Sequence, residues 1–124
     1  MKRVTVLLAA GLVALAAAGL PTVRAYAQQP VVTAENLNDM VANAKTAADH
    51  EAIAAFYKQL AEKDRKDAEV HKSWAETYKK LKLSKPVGMA RMCNATAKYD
   101  LQAAEQAEEL AKAHEEMAKA AGAK

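Results

Sequence analysis

The sequence predicts an all-α protein built as a long antiparallel helical hairpin, and three observations favour this fold. Between residue 46 and Pro86 the chain contains neither Pro nor Gly, and a second uninterrupted segment follows Gly88. Alanine recurs every seven residues in both segments, which is the period of left-handed supercoiled helices. The two segments also align when the chain is shifted by 43 residues, which indicates a tandem repeat.

Residues 1–27 have the pattern of a secretory signal peptide. Lys2 and Arg3 precede an apolar run of about 17 residues, and Ala25-Tyr26-Ala27 is a small-x-small cleavage site. An uncleaved anchor is disfavoured because the run lies at the lower limit for spanning a bilayer. We expect a mature chain from Gln28 that is periplasmic or secreted and has no stable membrane span after cleavage.

The charge and motifs of the mature chain exclude several function classes. From residue 28 onward there are fifteen Lys or Arg and fifteen Asp or Glu side chains, so nucleic-acid binding is not predicted. The chain lacks the GxSxG, GxxxxGK[ST] and HExxH motifs of hydrolases, nucleotide-binding proteins and metalloproteases. We therefore expect that the protein is not an enzyme.

A short first helix is predicted over residues 34–45. Leu37, Met40 and Val41 stand at helical spacing, and Thr33 is a candidate N-cap. This helix is expected to pack on the hairpin as part of one domain, and it precedes the two long helices along the chain.

The long helices are predicted over residues 46–83 and 89–121. Thr46 and Asp49 form a capping-box pattern at the start of the first. A Ser-Lys-Pro-Val-Gly segment separates the helices, and Gly122 ends the second. Helices of this length with a short connection must fold back antiparallel to bury apolar surface, so residues 28–124 form one helical domain.

An alanine seam is predicted between the long helices, because small side chains let two backbones approach closely. It consists of Ala54, Ala61, Ala68 and Ala75 in one helix and Ala97, Ala104, Ala111 and Ala118 in the other. Bulkier apolar residues form a stripe to one side: Ile53, Leu60, Val70, Trp74 and Leu81. This stripe is expected to meet the first helix or a second copy, which would give a four-helix bundle as a dimer.

The position beside the seam carries polar and metal-binding side chains where coiled coils ordinarily carry Leu. In an antiparallel hairpin, residues at one level have a constant sum of residue numbers. This rule pairs His50 with His114 and His71 with Cys93, since both pairs give the same sum. His71 and Cys93 are expected at the loop end of the hairpin, beside the connection between the helices. His50 and His114 are expected at the opposite, open end.

Methionines accompany both pairs. Met89 and Met92 precede Cys93, and Met117 follows His114 by three residues. Thiolate, thioether and imidazole form a soft ligand set that selects Cu(I) over hard ions. The sequence therefore predicts a soft-metal protein, with copper as the metal, for storage, delivery or sensing, and the thiolate predicts tighter binding at the loop end.

Two alternatives stay open. In the first, the histidines and the cysteine are core residues of a metal-free structural or chaperone-like interaction module, whose partner the sequence does not name. In the second, a non-covalent haem lies between two histidines, or between a histidine and a methionine. Covalent haem is not predicted because the chain has no CxxCH motif.

The run His50–Tyr57, with the later Met92-Cys93 and Tyr99, resembles a segment of uncharacterised exported bacterial helical-hairpin proteins. Those proteins carry H-E-A-hydrophobic-A-x-aromatic-Tyr and a His-Cys dipeptide in the second repeat. The resemblance covers about residues 46–120 and implies the fold, not an activity. Met92 stands where the dipeptide has His, and methionine is itself a soft ligand.

Overall fold

The computed structural model describes residues 30–81 and 86–123, and it contains three helices. They are α1 (Leu37–Asn43), α2 (Ala47–Lys80) and α3 (Pro86–Gly122). α2 and α3 pack against each other as an antiparallel hairpin, and α1 contacts α2. The predicted all-α hairpin is therefore confirmed, whereas the predicted signal peptide lies outside the described residues.

α1 is shorter than the helix predicted over residues 34–45, because the chain forms a turn before it. The backbone N–H of Thr33 donates to Asn36 Oδ1 at 2.7 Å, and the Asn36 N–H donates to Thr33 Oγ1 at 3.4 Å. These side-chain bonds compete with helix geometry, so the helix begins at Leu37. Asn36, and not Thr33, occupies the N-cap position.

The start of α2 follows the sequence pattern closely. The backbone N–H of Asp49 donates to Thr46 Oγ1 at 3.1 Å, and the Thr46 N–H donates to Asp49 Oδ2 at 2.9 Å. This reciprocal pair is the predicted capping box. The capping box therefore sets the residue at which α2 begins, directly after the extended residue Thr46.

The boundaries beside the connection differ from the prediction by three residues on each side. α2 ends at Lys80, where the Leu81 N–H bonds to the Tyr78 carbonyl oxygen at 3.3 Å. α3 begins at Pro86, although Pro was expected to lie in the break. Proline suits the first turn of a helix because the N–H that it lacks would have no intrahelical partner there.

The alanine seam forms the core of the hairpin. All eight of its alanines are 6 % exposed or less. Ile53 is the largest fully buried side chain among the described residues. Because the buried side chains are so small, α2 and α3 lie close together, and larger apolar groups are displaced to the flanks of the hairpin.

The flanks differ in character. On one side, Arg65 donates to Glu108 at 2.6 Å, and Lys58 pairs with Glu115. Such exposed pairs add little stability, typically about 0–1 kcal/mol, but they mark the register of the two helices. On the other side the apolar stripe remains partly uncovered, and Trp74 is 51 % exposed. In the described ranges no helix is long and apolar enough to span a membrane.

Candidate metal centre

The open end of the hairpin brings two imidazoles into contact. His50 lies in the first turns of α2 and His114 lies in the last turns of α3. Their Nδ1 atoms are 3.1 Å apart, and the ring centroids are separated by 5.3 Å. The contact predicted from residue numbering is therefore confirmed, across a sequence separation of 64 residues.

The surroundings of His114 favour the uncharged form of its imidazole. His114 is only 8 % exposed, and the ring of Tyr57 stacks on it with centroids 6.0 Å apart. Burial lowers the pKa of His114 below its ordinary value of 6.5, and repulsion from His50 lowers it further. The distance between the two Nδ1 atoms is that of a hydrogen bond, in which one ring donates and the other accepts according to their tautomers.

A cleft of about 570 Å³ opens beside the two helix termini at this end. Its lining residues are Ala47, Glu51, Glu115, Ala118, Lys119 and Gly122. Glu51 follows His50 in sequence, and Glu115 follows His114. The hydrogen bond from Lys58 lowers the pKa of Glu115, so this carboxylate is ionised at neutral pH. Neither His50 nor His114 lines this cleft, and Lys119 places a cation beside its two carboxylates.

Met117 was predicted to join this set. It lies one turn beyond His114 on α3, and its side chain is 48 % exposed. The thioether is therefore not a core group of the hairpin. It stands at the surface near the open end, where a soft ion could contact it.

At the loop end, the observed contact of His71 differs from the predicted one. His71 was expected beside Cys93, but its Nδ1 atom lies 2.8 Å from Oδ2 of Asp100, one heptad further along α3. The carboxylate is a far stronger hydrogen-bond acceptor than a thiol. The edge of Trp74 also contacts the His71 ring, with centroids 5.1 Å apart. His71 is thus an oriented imidazole, held by Asp100.

Asp100 was not among the predicted site residues, although the tandem repeat contained the signal. A shift of 43 residues maps His71 onto His114 and Tyr57 onto Asp100. The ring contact of Tyr57 with His114 is therefore repeated as the hydrogen bond between Asp100 and His71. The pair Tyr57 and His114 is therefore equivalent, through the repeat, to the pair Asp100 and His71.

The other loop-end residues lie at intermediate depth or at the surface. Cys93 is a free, half-buried thiol. Met89 is 40 % exposed and Met92 is 71 % exposed. Within residues 30–81 and 86–123, no group of three or more His, Cys, Asp or Glu side chains is arranged to hold a metal ion. A metal at either end would therefore need a thioether, a water molecule or a second chain to complete its ligands.

Comparison with known proteins adds no assignment. The chain matches no protein-family model, and no curated protein or solved structure is significantly similar to it. The resemblance to exported helical-hairpin proteins therefore stays a prediction. Function must be inferred from the chemistry of the residues that the fold brings together.

Proposed function

We propose that this chain is an exported protein that binds a soft metal ion, with copper as the metal, and stores, delivers or senses it. The observation that carries the proposal is the contact of His50 with His114, whose Nδ1 atoms are 3.1 Å apart. Imidazole nitrogen is a common ligand of copper and zinc. The fold brings two such nitrogens, from residues far apart in the sequence, within hydrogen-bond distance of each other.

The spacing of these nitrogens suits a shared ion. Metal–imidazole bonds are about 2.0–2.1 Å long, as measured for zinc. An ion at that distance from both Nδ1 atoms would see them at an angle of about 100°, near the tetrahedral value. The imidazoles would bind by exchanging their mutual hydrogen bond for two metal bonds, with little movement of the helices.

The protonation state of His114 supports the same site. A metal ligand must be deprotonated, and the lowered pKa of His114 keeps its ring neutral at neutral pH. The carboxylates of Glu51 and Glu115 line the adjacent cleft. Met117 stands one turn away with an exposed thioether, and a thioether favours Cu(I) over zinc.

The loop end supplies a second ligand set under the same proposal. Cys93 offers a thiolate, the strongest soft donor in the chain, with Met89 and Met92 close to it in sequence. The bond of His71 Nδ1 to Asp100 leaves Nε2 for a ligand, which is the carboxylate–histidine arrangement common around metals. We predict that this set binds Cu(I) more tightly than the open end.

Competition against a Cu(I) chelator tests the proposal. His50→Gln and His114→Gln should each weaken the open-end site, and Cys93→Ala should weaken the loop-end site. Losing a residue that only hydrogen-bonds to a metal ligand typically weakens metal binding roughly 10–100-fold. Losing a ligand itself should therefore weaken metal binding at least about tenfold. Lys72→Gln is the control for both ends, because this exposed side chain on α2 belongs to neither ligand set. If wild type and all variants compete equally, or none binds, the metal proposal is wrong.

One observation favours the metal-free interaction module as a second candidate. Trp74, Thr77, Tyr78 and Leu81 line a groove of about 330 Å³ on α2. Trp74 is half exposed there, as interface anchors often are before binding. Protein purified from the periplasm without copper, zinc or a visible absorption band would favour this candidate, whereas a Soret band would favour the haem alternative.

A further inference from the structure

The outer surface of α3 carries a continuous column of uncharged side chains. The column starts at Met89 and advances by alternating steps of three and four residues as far as Ala120. All ten of its side chains are exposed and none is charged. The six largest are Met89, Met92, Tyr99, Gln106, Leu110 and Met117, and the other four are three alanines and a threonine. We call these ten positions the outer column.

The spacing of the outer column is that of a coiled-coil seam. Steps of three and four residues keep one side of a helix aligned with a neighbouring helix, and here they continue over about 47 Å. The side of α3 that packs on α2 includes Ala104 and Ala107, and it lies about 110° around the helix from the outer column. α3 can therefore pack on α2 and on one further helix at once, as in a four-helix bundle.

The corresponding column of α2, displaced by 43 residues in the tandem repeat, is less suited to such packing. Lys63 and Asp67 interrupt it with an ion pair of 2.6 Å. Ile53, near its start, is already fully buried within the chain. The longer uncharged surface available to a further helix therefore belongs to α3.

We infer that the outer column of α3 pairs antiparallel with the same column of a second copy of this chain. A two-fold axis at the middle of the column sets Tyr99 opposite the partner's Leu110 and Met92 opposite the partner's Met117. Each contact occurs twice, as a two-fold symmetric interface requires. The large exposed side chains of one copy thus meet large apolar side chains of the other, and the pairing does not depend on the proposed copper binding.

The charges beside the outer column fit this orientation. In an antiparallel pair, the same neighbouring column of the two copies meets along one edge of the interface. In α3 this neighbouring column carries Ala95, Gln102, Glu109 and Glu116. Because both acids lie in its second half, Glu109 faces the partner's Gln102, and Glu116 faces the partner's Ala95. No two carboxylates of this column oppose each other.

The next column outward adds cations to the same edge. It carries Arg91, Lys98, Glu105, Lys112 and Lys119. Lys98 lies one turn before Gln102, so in the antiparallel pair it approaches Glu109 of the other copy. Glu116 already pairs with Lys119 in its own chain at 2.9 Å, so Glu109 with the partner's Lys98 is the main ion pair expected between copies. The two columns together hold three acidic and four basic side chains, so little net charge opposes pairing.

The position of α2 also favours the antiparallel orientation. The ion pair of Arg65 with Glu108 marks one flank of the hairpin. The outer column lies toward the opposite flank, where Val70 and Trp74 of α2 are also exposed. Antiparallel pairing places both α2 helices on the same side of the paired α3 helices, so these two side chains face the partner. A parallel pair would place the α2 helices on opposite sides and leave both side chains in solvent.

Cross-linking of single-cysteine variants of the full exported protein tests the surface and the orientation. Cys93→Ser removes the only cysteine, and either Met92→Cys or Met117→Cys is then added. A short bis-maleimide should cross-link the two variants to each other when they are mixed. It should not cross-link either variant to itself, since the two copies of that residue lie about 38 Å apart in the antiparallel pair. A chelator keeps the samples free of metal, so the result is independent of copper binding.

A charged variant tests the apolar contact. Tyr99→Lys with Leu110→Lys should raise the dissociation constant of the dimer at least about tenfold in sedimentation equilibrium, since burial of one large apolar side chain contributes about that factor. The matched control is Val87→Lys, because Val87 is 66 % exposed on α3 and stands three heptads before Glu108, on the ion-paired flank. Circular dichroism confirms that each variant remains helical.

Three results would overturn the inference. Cross-linking of either single-cysteine variant to itself, with none between the two, would indicate parallel pairing. Absence of any cross-linked dimer would show that the outer column is not an interface between copies. Equal weakening of the dimer by Val87→Lys and by the double lysine variant would show that association does not depend on this column.

Discussion

At the scale of single residues, His114 couples the stability of the open end to pH. Burial and the neighbouring His50 both disfavour its charged form, so its pKa in the folded protein lies below the ordinary 6.5. In the unfolded chain the same imidazole titrates near its ordinary value. Folding therefore favours the neutral ring, and protons compete with the folded state.

This coupling predicts a loss of stability on mild acidification. The contribution of His114 should be complete above about pH 6.5, and it should decline as the pH falls below that value toward the lower folded pKa. Urea denaturation at a series of pH values between about 7.5 and 5 measures the free energy of unfolding. His114→Gln should flatten the slope in this window. A wild-type slope unchanged by the substitution would contradict the assignment.

The residue scale also shows how far side-chain contacts follow from sequence. Residue numbering alone predicted that His50 meets His114, because a heptad repeat and one short connection define which residues share a level. It did not predict that His71 bonds to Asp100, because Cys93 and Asp100 lie one heptad apart on α3 and both are candidates to contact the His71 ring. Rotamers and acceptor strength decide that competition, and a pattern of residue types does not encode them.

At the scale of the helices, the alanine seam determines how closely α2 and α3 approach. Ala61 and Ala104 are 2 % and 0 % exposed and belong to the buried cluster at the middle of the hairpin. Alanine offers few dispersion contacts, so the seam stabilises the hairpin through the fit of two backbones. It also leaves no room for a longer side chain.

Ala61→Leu and Ala104→Leu should each destabilise the protein by about 1–3 kcal/mol, because overpacking a filled core forces rotamer strain or helix separation. Ala103→Leu is the matched control, since Ala103 is exposed on the same helix as Ala104. Thermal melting followed by circular dichroism is the measurement. Equal melting temperatures for the Ala104 and Ala103 variants would mean that the seam is not close-packed.

The capping box of α2 supports a second prediction at this scale. Thr46→Ala removes the acceptor of the Asp49 N–H, which lies 3.1 Å from Thr46 Oγ1. Loss of such a cap typically costs about 1 kcal/mol. Chemical denaturation should show a destabilisation of that size, and Thr46→Ser should retain most of the stability because its hydroxyl can still accept. A Thr46→Ala variant as stable as wild type would argue against the cap.

Helix boundaries were less predictable than the helices themselves. The capping box predicted the start of α2 because its chemistry is local to Thr46 and Asp49. Pro86 was interpreted as part of a break, yet it begins α3, since proline both ends and starts helices depending on which backbone groups precede it. In α1, the reciprocal bonds of Thr33 and Asn36 delayed the helix, and several polar residues compete for such turns.

At the scale of the whole molecule, the hairpin has little core for its size. Its buried side chains in the described residues are almost all alanine, and Ile53 and His114 are the larger exceptions. Small cores are usually supplemented by disulfides, metals or association. The single cysteine allows no internal disulfide, which leaves metal binding and association to supply additional stability.

Self-association through the apolar stripe is the corresponding prediction. Val70 and Trp74 on α2 are 44 % and 51 % exposed, and Leu110 on α3 is 45 % exposed. Two hairpins that cover these side chains would form a four-helix bundle, and a chain with equal numbers of acidic and basic groups after residue 28 meets little net repulsion on pairing. Sedimentation equilibrium should therefore show a concentration-dependent dimer.

Val70→Ser with Trp74→Ser should raise the dissociation constant of this dimer at least about tenfold, since burying each such side chain is worth about 1.5–3 kcal/mol. Val41→Ser, on the exposed surface of α1, should leave it unchanged. A wild-type protein that stays monomeric at high concentration would show that α1 and the alanine seam suffice to stabilise the fold.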